Sequence, residues 1–248
     1  MNIKVLGTQA PYVRYGHNGP GYLVTTVQGD NILLDCGSGS THMMKLPDDL
    51  ENLTVIITHR HGDHWADLFQ IMYASYMAHE FGNLNERIKV YIPADMNHVA
   101  RMKDFHWCEF INIFDGLNFY VGGLNVKFYK TIHADSVESY AVKLSGRRDG
   151  TLVYTGDISY KSKERIVNMA RGADLLVSES TLLESYGQPE YNVHITAKQA
   201  ATMALEAGVS KLLLTHFKPE EDPDNYVSEA MEVFPNTLAA IEGLNLRI

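Results

Sequence analysis

Apolar runs of strand length recur along the chain at residues 3–7, 21–27, 31–36, 54–58, 88–92, 126–132, 139–144, 151–156, 173–178 and 211–215. Several are rich in Val, Ile, Tyr and Phe, side chains that fit a pleated, half-buried surface, so the runs predict strands. Segments of helical period lie between them. Residues 65–81 carry apolar positions at helical spacing. Residues 164–170 read as a surface helix. Residues 196–207 open with Thr196 and Gln199 at capping-box spacing and stop at Gly208. A last helix is predicted at 225–234, ended by Pro235.

The early runs follow one another as hairpins. Gln28, Gly29 and Asp30 mark a turn after 21–27, and Asp149 and Gly150 mark one after 139–144. Later strands alternate with helices. Strands interleaved with helices in this way predict a layered α/β domain, here one domain over 1–248.

The length of 248 residues and an apolar content of 45% supply ample core. No stretch reaches the roughly 20 apolar residues of a membrane helix. The first residues, MNIKVLGTQA, carry no basic-then-apolar leader pattern. Two cysteines, Cys36 and Cys108, form no spaced framework and read as buried apolar side chains, which points to a reducing cytoplasm. The net charge of −9 and the absence of a basic run weigh against a general nucleic-acid binder.

Chemistry-bearing residues fall where strands should end. His59, Arg60 and His61 follow 54–58, His133 follows 126–132, Asp157 follows 151–156 and His216 follows 211–215. Ligand sites in α/β sheets gather outside the carboxyl ends of strands, so His59, His61, Asp63, His64, His133, Asp157 and His216 can meet. His59 and His61, two apart at a strand end, can point the same way and share one metal. Gly62 permits a tight turn, after which Asp63 and His64 would face a second metal. Asp157, with two oxygens, can bridge. Imidazoles with carboxylates suit zinc, iron or manganese better than calcium or magnesium. Burying this many titratable groups without a metal would be costly.

The segment THRHGDH matches the H-x-H-x-D-H motif of the metallo-β-lactamase superfamily, and the resemblance extends over nearly the whole chain. LGTQAP and LLDCGSG resemble its opening strands, and TIHADSVESYAV, LVYTGDISY and LLLTHF resemble the later ligand segments. GADLLVSEST and NVHITAKQAA resemble the ribonuclease-Z branch, which uses a Glu and a His there, matched by Glu179 and His194. That branch has His where this chain has Ser178, and a small residue where it has Asp67. The resemblance implies a four-layer αββα sandwich. It implies one metal on His59, His61, His133 and Asp157, and another on Asp63, His64, Asp157 and His216. It also implies that Asp35 orients a ligand imidazole.

Two divalent ions, zinc or else manganese or iron, would hold a bridging hydroxide for attack on phosphorus. His194 is the candidate donor to the leaving group, with Glu179 orienting it, and Asp63 counts as both ligand and catalytic residue. The branch's tRNA-processing members carry an arm between the third His and the bridging Asp. Here residues 133–157 are taken up by two strands and a turn. The resemblance therefore implies a compact phosphodiesterase for small or cyclic nucleotide-like phosphodiesters, with large nucleic acid and membrane disfavoured as partners. The alternatives are a tRNA 3′-end endonuclease, a lactone or thioester hydrolase, and a metal-holding protein without turnover. Relatives of this kind are commonly homodimers, which is the expectation here. The 65–111 segment has the size of an insertion, and its Trp65, His79, His98, His106 and Trp107 read as helix-face and core residues.

Overall fold

A computed structural model describes residues 1–101, 107–187 and 193–248. Two seven-stranded sheets lie face to face. The first uses β1 (Asn2–Gly7), β2 (Gly21–Thr25), β3 (Asn31–Cys36), β4 (Leu53–Ile56), β5 (Ile88–Pro93), β6 (Cys108–Ile113) and the distant β14 (Asn245–Arg247), in the order β14-β1-β2-β3-β4-β5-β6. The second contains β7 (Asn118–Val121), β8 (Leu124–Thr131), β9 (Ser139–Gly146), β10 (Gly150–Tyr154), β11 (Leu175–Glu179), β12 (Leu212–Thr215) and β13 (Thr237–Ala239), in reverse order from β13 to β7. Each sheet is antiparallel in one half and parallel in the other. β3 pairs antiparallel with β2 and parallel with β4, and β10 pairs antiparallel with β9 and parallel with β11. Both predicted hairpins form, β2–β3 and β9–β10.

Strand alternation explains the layers. In β3, Ile32 and Leu34 point between the sheets and meet Val142, Leu144, Leu152 and Val177 from the other one. Leu33 points outward with Val55 and Val90, against Leu68, Ile71 and Met72 of α1 (Leu68–Glu80) and Val99 of the short α2 (Asn97–Ala100). In the second sheet, Val153, Leu176 and Leu214 point outward. They are covered by α3 (Lys163–Ala170), α4 (Ala197–Ala207) and α5 (Pro223–Met231) through Ile166, Met169, Ala200, Ala204 and Tyr226. The result is helices, sheet, sheet, helices: the expected four-layer αββα sandwich. Among the described residues, no helix is long and apolar enough to cross a membrane.

Local chemistry sets the ends. α4 has the full capping box, with Thr196 accepting from Gln199 N and Gln199 accepting from Thr196 N, and Gly208 closes it in the left-handed region at φ 62. α5 begins before the predicted 225, because Asp222 caps it and Pro223 occupies its first turn. The 65–111 segment is no insertion: α1, β5, α2 and β6 lie in it, and β5 and β6 extend the parallel half of the first sheet. Both cysteines are buried and free, and burial pushes both thiols up, Cys108 to about 12.

Candidate metal centre

The site forms where strands of both sheets release their chains at one end. After β4 the chain stays buried through Ile57, Thr58 and His59, then turns through a one-turn 3-10 helix at Gly62–His64. That turn swings Asp63 and His64 back beside His59, whose ring lies 4.1 Å from His64's. The loop after β3 packs directly on it: a Cβ on Gly37 would sit 2.3 Å from the Asp63 carbonyl oxygen. His133 follows β8, Asp157 follows β10 and His216 follows β12. Asp35 and His216 hold left-handed backbone at φ 55 and φ 62, a conformation that costs a non-glycine residue about 1–3 kcal/mol and persists only where surroundings impose it.

The ligand-type residues fall into two groups. His59, His61, His133 and Asp157 form one, and Asp63, His64 and His216 the other; within each, the ligand atoms lie within 4.8 Å of one another. Asp157 faces both. Its Oδ1 is 3.3 Å from His64 Nε2 and 3.1 Å from His216 Nε2. Its Oδ2 is 3.7 Å from His59 Nε2 and 3.7 Å from His133 Nε2.

These residues fit a metal. His61 Nδ1 lies 3.1 Å from His133 Nε2, and His64 Nε2 lies 3.2 Å from His216 Nε2. Those are separations expected of nitrogens that share an ion at about 2.0–2.1 Å. Among the described residues, His59 Nε2 and Asp157 Oδ1 are buried with no hydrogen-bond partner, an arrangement that costs about 1–3 kcal/mol per atom unless something else satisfies them. Burial opposes charge on His216, but Asp157 and Asp63 outweigh it and push the imidazole up to about 10. The same carboxylates together with Asp35 hold His64 well above its ordinary range. His59, buried beside His64, is pushed well below it.

A second ring of groups fixes the imidazoles. His64 Nδ1 lies 2.8 Å from Asp35 Oδ2, and since a carboxylate oxygen accepts, Nδ1 carries the proton. His133 Nδ1 donates to the Val193 carbonyl at 2.6 Å. Thr58 Oγ1 donates to Asp35 Oδ2 at 2.9 Å, which leaves it to accept from His59 Nδ1 at 3.2 Å. In all three rings Nε2 is thereby left to face the cluster. Asp35 also accepts from Thr58 N at 2.7 Å and from the Tyr154 hydroxyl at 2.7 Å. Sequence reasoning finds Asp35 but not Thr58, Tyr154 or Thr181; their partners lie across the fold or carry no motif.

Beside the cluster, Glu179 and His194 pair. His194 Nδ1 is 3.0 Å from Glu179 Oε2 and 3.1 Å from Oε1. Glu179 is 1% exposed and accepts from Ile158 N at 2.6 Å, whereas the His194 side chain keeps 23% of its surface open. The His194 ring sits 5.0 Å from His133's and 5.2 Å from His216's, one from each group. Burial opposes its charge, but Glu179 and Asp157 raise its pKa overall.

All ten residues singled out around the motif thus meet at one end of the sheets. The others do not join them. Trp65 Nε1 donates to the Arg60 carbonyl at 2.9 Å, His79 lies on the Trp107 ring at 3.7 Å, and His98 edges Trp65 at 6.4 Å. His106 lies outside the described residues. Asp67 has a structural use: it accepts from Thr41 N and Thr41 Oγ1 at 3.1 and 2.7 Å, tying the loop after β3 to the start of α1.

A family model described as a beta-lactamase superfamily domain matches residues 30–217. The chain is 28% identical to ribonuclease Z of Methanopyrus kandleri, over 99% of this chain and 97% of that protein. It is 29% identical to the probable metallo-hydrolase YhfI of Bacillus subtilis, over 94% of each. The crystal structure of YhfI superposes with a TM-score of 0.88, covering 100% of this chain and 99% of that one. The short form of human tRNase Z shares the fold, with a TM-score of 0.74 at 20% identity over 100% and 99% of the two chains.

Proposed function

The chain belongs to the beta-lactamase superfamily, and we propose that it is a dinuclear, zinc-dependent phosphodiesterase of small or cyclic nucleotide-like phosphodiesters. The observation that carries this reading is the Glu179–His194 pair set beside two groups of metal-type ligands. His59, His61 and His133 would hold one ion, and Asp63, His64 and His216 the other, with Asp157 shared between them. Metal bound there would supply Lewis acidity and an activated water near neutral pH.

The chain's own residues supply the rest. Glu179 takes His194 by Nδ1 and leaves Nε2 to a bound substrate. A partly open imidazole charged by its carboxylate neighbours is suited to protonate a departing alkoxide. Carbon-ester hydrolysis has no need of such a pair, which sets the lactone and thioester readings lower. A metal-holding protein without turnover would not need a proton donor at the cluster's open side.

A second reading is favoured by the relatives named ribonuclease Z. Against it stands the hairpin between His133 and Asp157. β9 and β10 pair without interruption from Val142↔Tyr154 to Gly146↔Gly150. Asp149 in its turn accepts from Val27 N at 3.0 Å and pairs with the chain's amino group at 3.0 Å. The hairpin ends in that turn, and no arm leaves it.

The test is hydrolysis of bis(p-nitrophenyl) phosphate by zinc- and manganese-loaded protein, beside Asp157→Ala. The expected result is turnover that Asp157→Ala abolishes, followed by preference for cyclic nucleotides over precursor tRNA. No turnover in the loaded wild type would sink the phosphodiesterase reading; cleavage of precursor tRNA in preference would move it to the ribonuclease.

A further inference from the structure

Thr181 is buried, belongs to no expected ligand set, and lies between the two halves of the site. Its Oγ1 is 2.8 Å from Glu179 Oε2 and 2.7 Å from His216 Nδ1. A hydroxyl has one proton to give. Glu179 already collects Ile158 N on Oε1, His194 Nδ1 on both oxygens, and Ile195 N pointing at Oε2 from 3.5 Å. Donation from the carboxyl would require a proton on Oε2, where two other donors already point. The Thr181 proton therefore goes to Glu179, and its oxygen accepts from His216 Nδ1.

We infer that Thr181 is a positioning residue through which Glu179 fixes His216 as the Nδ1–H tautomer, presenting Nε2 to the metal-side cluster. His216 Nε2 then faces Asp157 Oδ1 at 3.1 Å and Asp63 Oδ2 at 3.5 Å. Glu179 thus serves two imidazoles: His194 directly and His216 through a hydroxyl. The other side of the site repeats the device independently. Asp35 holds His64 directly and His59 through the Thr58 hydroxyl. Each buried carboxylate governs one histidine by contact and a second by a threonine. The consequence is coupling: a change at Glu179 reaches metal retention as well as the proton donor, whereas a change at His194 reaches only the donor. This rests on His216 being a ligand, as in the reading above.

The experiment compares Thr181→Val and Thr181→Ser with wild type by zinc competition against a chromophoric chelator, and by nitrogen-15 correlation of the histidine rings in the zinc-loaded protein. In wild type the His216 proton should sit on Nδ1. Thr181→Val should weaken retention of the ion that His216 would hold by about 10–100-fold, the range typical for loss of such an outer partner. Thr181→Ser, which keeps the hydroxyl, should stay within about threefold of wild type. A proton on Nε2 in wild type would overturn the inference without any variant having to fold. So would equal affinity of Thr181→Val and wild type, or a serine variant as weak as the valine one, which would assign the effect to packing. These readouts need no turnover. An inactive wild type would sink the phosphodiesterase reading and leave this inference to its own result.

Discussion

Asp35→Asn would test how far one buried carboxylate organises the site. Asp35 is fully buried, and its two oxygens accept from four donors: Thr58 N on Oδ1, and Thr58 Oγ1, His64 Nδ1 and Tyr154 Oη on Oδ2. An asparagine offers only one oxygen. Turned toward the three donors, it sets its NH2 against the Thr58 N–H, where two donors face each other. Turned the other way, it sets NH2 against three donors. The first arrangement costs less and still loses a hydrogen bond to a charged acceptor, worth about 1.5–3 kcal/mol. The three that remain fall from charged to neutral acceptors, which halves their strength, roughly 1 kcal/mol each before compensation. The terms total about 4.5–6 kcal/mol before compensation, a large share of the 5–15 kcal/mol typical of a folded domain. Urea unfolding of the metal-free protein measures it as a lower midpoint at unchanged slope. Zinc affinity should fall by about 10–100-fold, since His64 loses its charged anchor. A midpoint shift worth less than 1 kcal/mol, with wild-type zinc affinity, would refute the account of Asp35 as the anchor of His64 and Thr58.

His194→Ala should lower turnover of an unactivated phosphodiester by about 10²–10⁴-fold while zinc content, measured by atomic emission, stays at the wild-type level; unchanged turnover would remove the proton-donor role. Tyr154→Phe keeps the ring in the core between the sheets and deletes one donor to Asp35. It should cost about 1.5–3 kcal/mol in urea unfolding, less than Asp35→Asn, and a variant as stable as wild type would contradict the bond. Gly37→Ala should destabilise by about 1–3 kcal/mol or more and weaken zinc binding, because its Cβ meets the Asp63 carbonyl at 2.3 Å and Gly19 C at 2.6 Å; tolerance of alanine with intact zinc affinity would show that the two loops are not in the contact described.

Much of this was legible in the chain because its signals are local. β4 and β12 are buried at every position, β3, β9 and β10 carry buried apolar stretches, and α4 carries its own cap chemistry in Thr196, Gln199 and Gly208. The motif from His59 to His64 fixes half the site within one turn. The elements that escaped are those whose stability comes from elsewhere. β7 is half-exposed at an edge, β13 and β14 are three residues each, and β14 pairs with β1 from the other end of the chain. β6 sits in the segment whose size suggested an insertion. Thr58, Tyr154 and Thr181 were invisible for a related reason: a buried hydroxyl is informative only once its partners across the fold are known.

The positions of the candidate ligands also explain why both sheets must be in register for the site to exist. His59, His61, Asp63 and His64 leave the first sheet after β4, whereas His133, Asp157 and His216 leave the second after β8, β10 and β12. The outer supports cross the same seam. Tyr154 of β10 reaches Asp35 of β3, and Tyr22 of β2 meets Thr215 Oγ1, the residue before His216, at 2.5 Å. The Tyr22 and Tyr154 rings meet at a tilt, their centroids 5.0 Å apart, within the core between the sheets. A metal bound by residues from both sheets would therefore join the layers as well as serve chemistry, and its binding free energy would add to folding stability by mass action. The same seam sets imidazole against imidazole, and His59 Nε2 and Asp157 Oδ1 have no hydrogen-bond partners among the described residues. The two outer carboxylates have a common geometry: Asp35 from the first sheet holds His64 and Thr58, and Glu179 from the second holds His194 and Thr181.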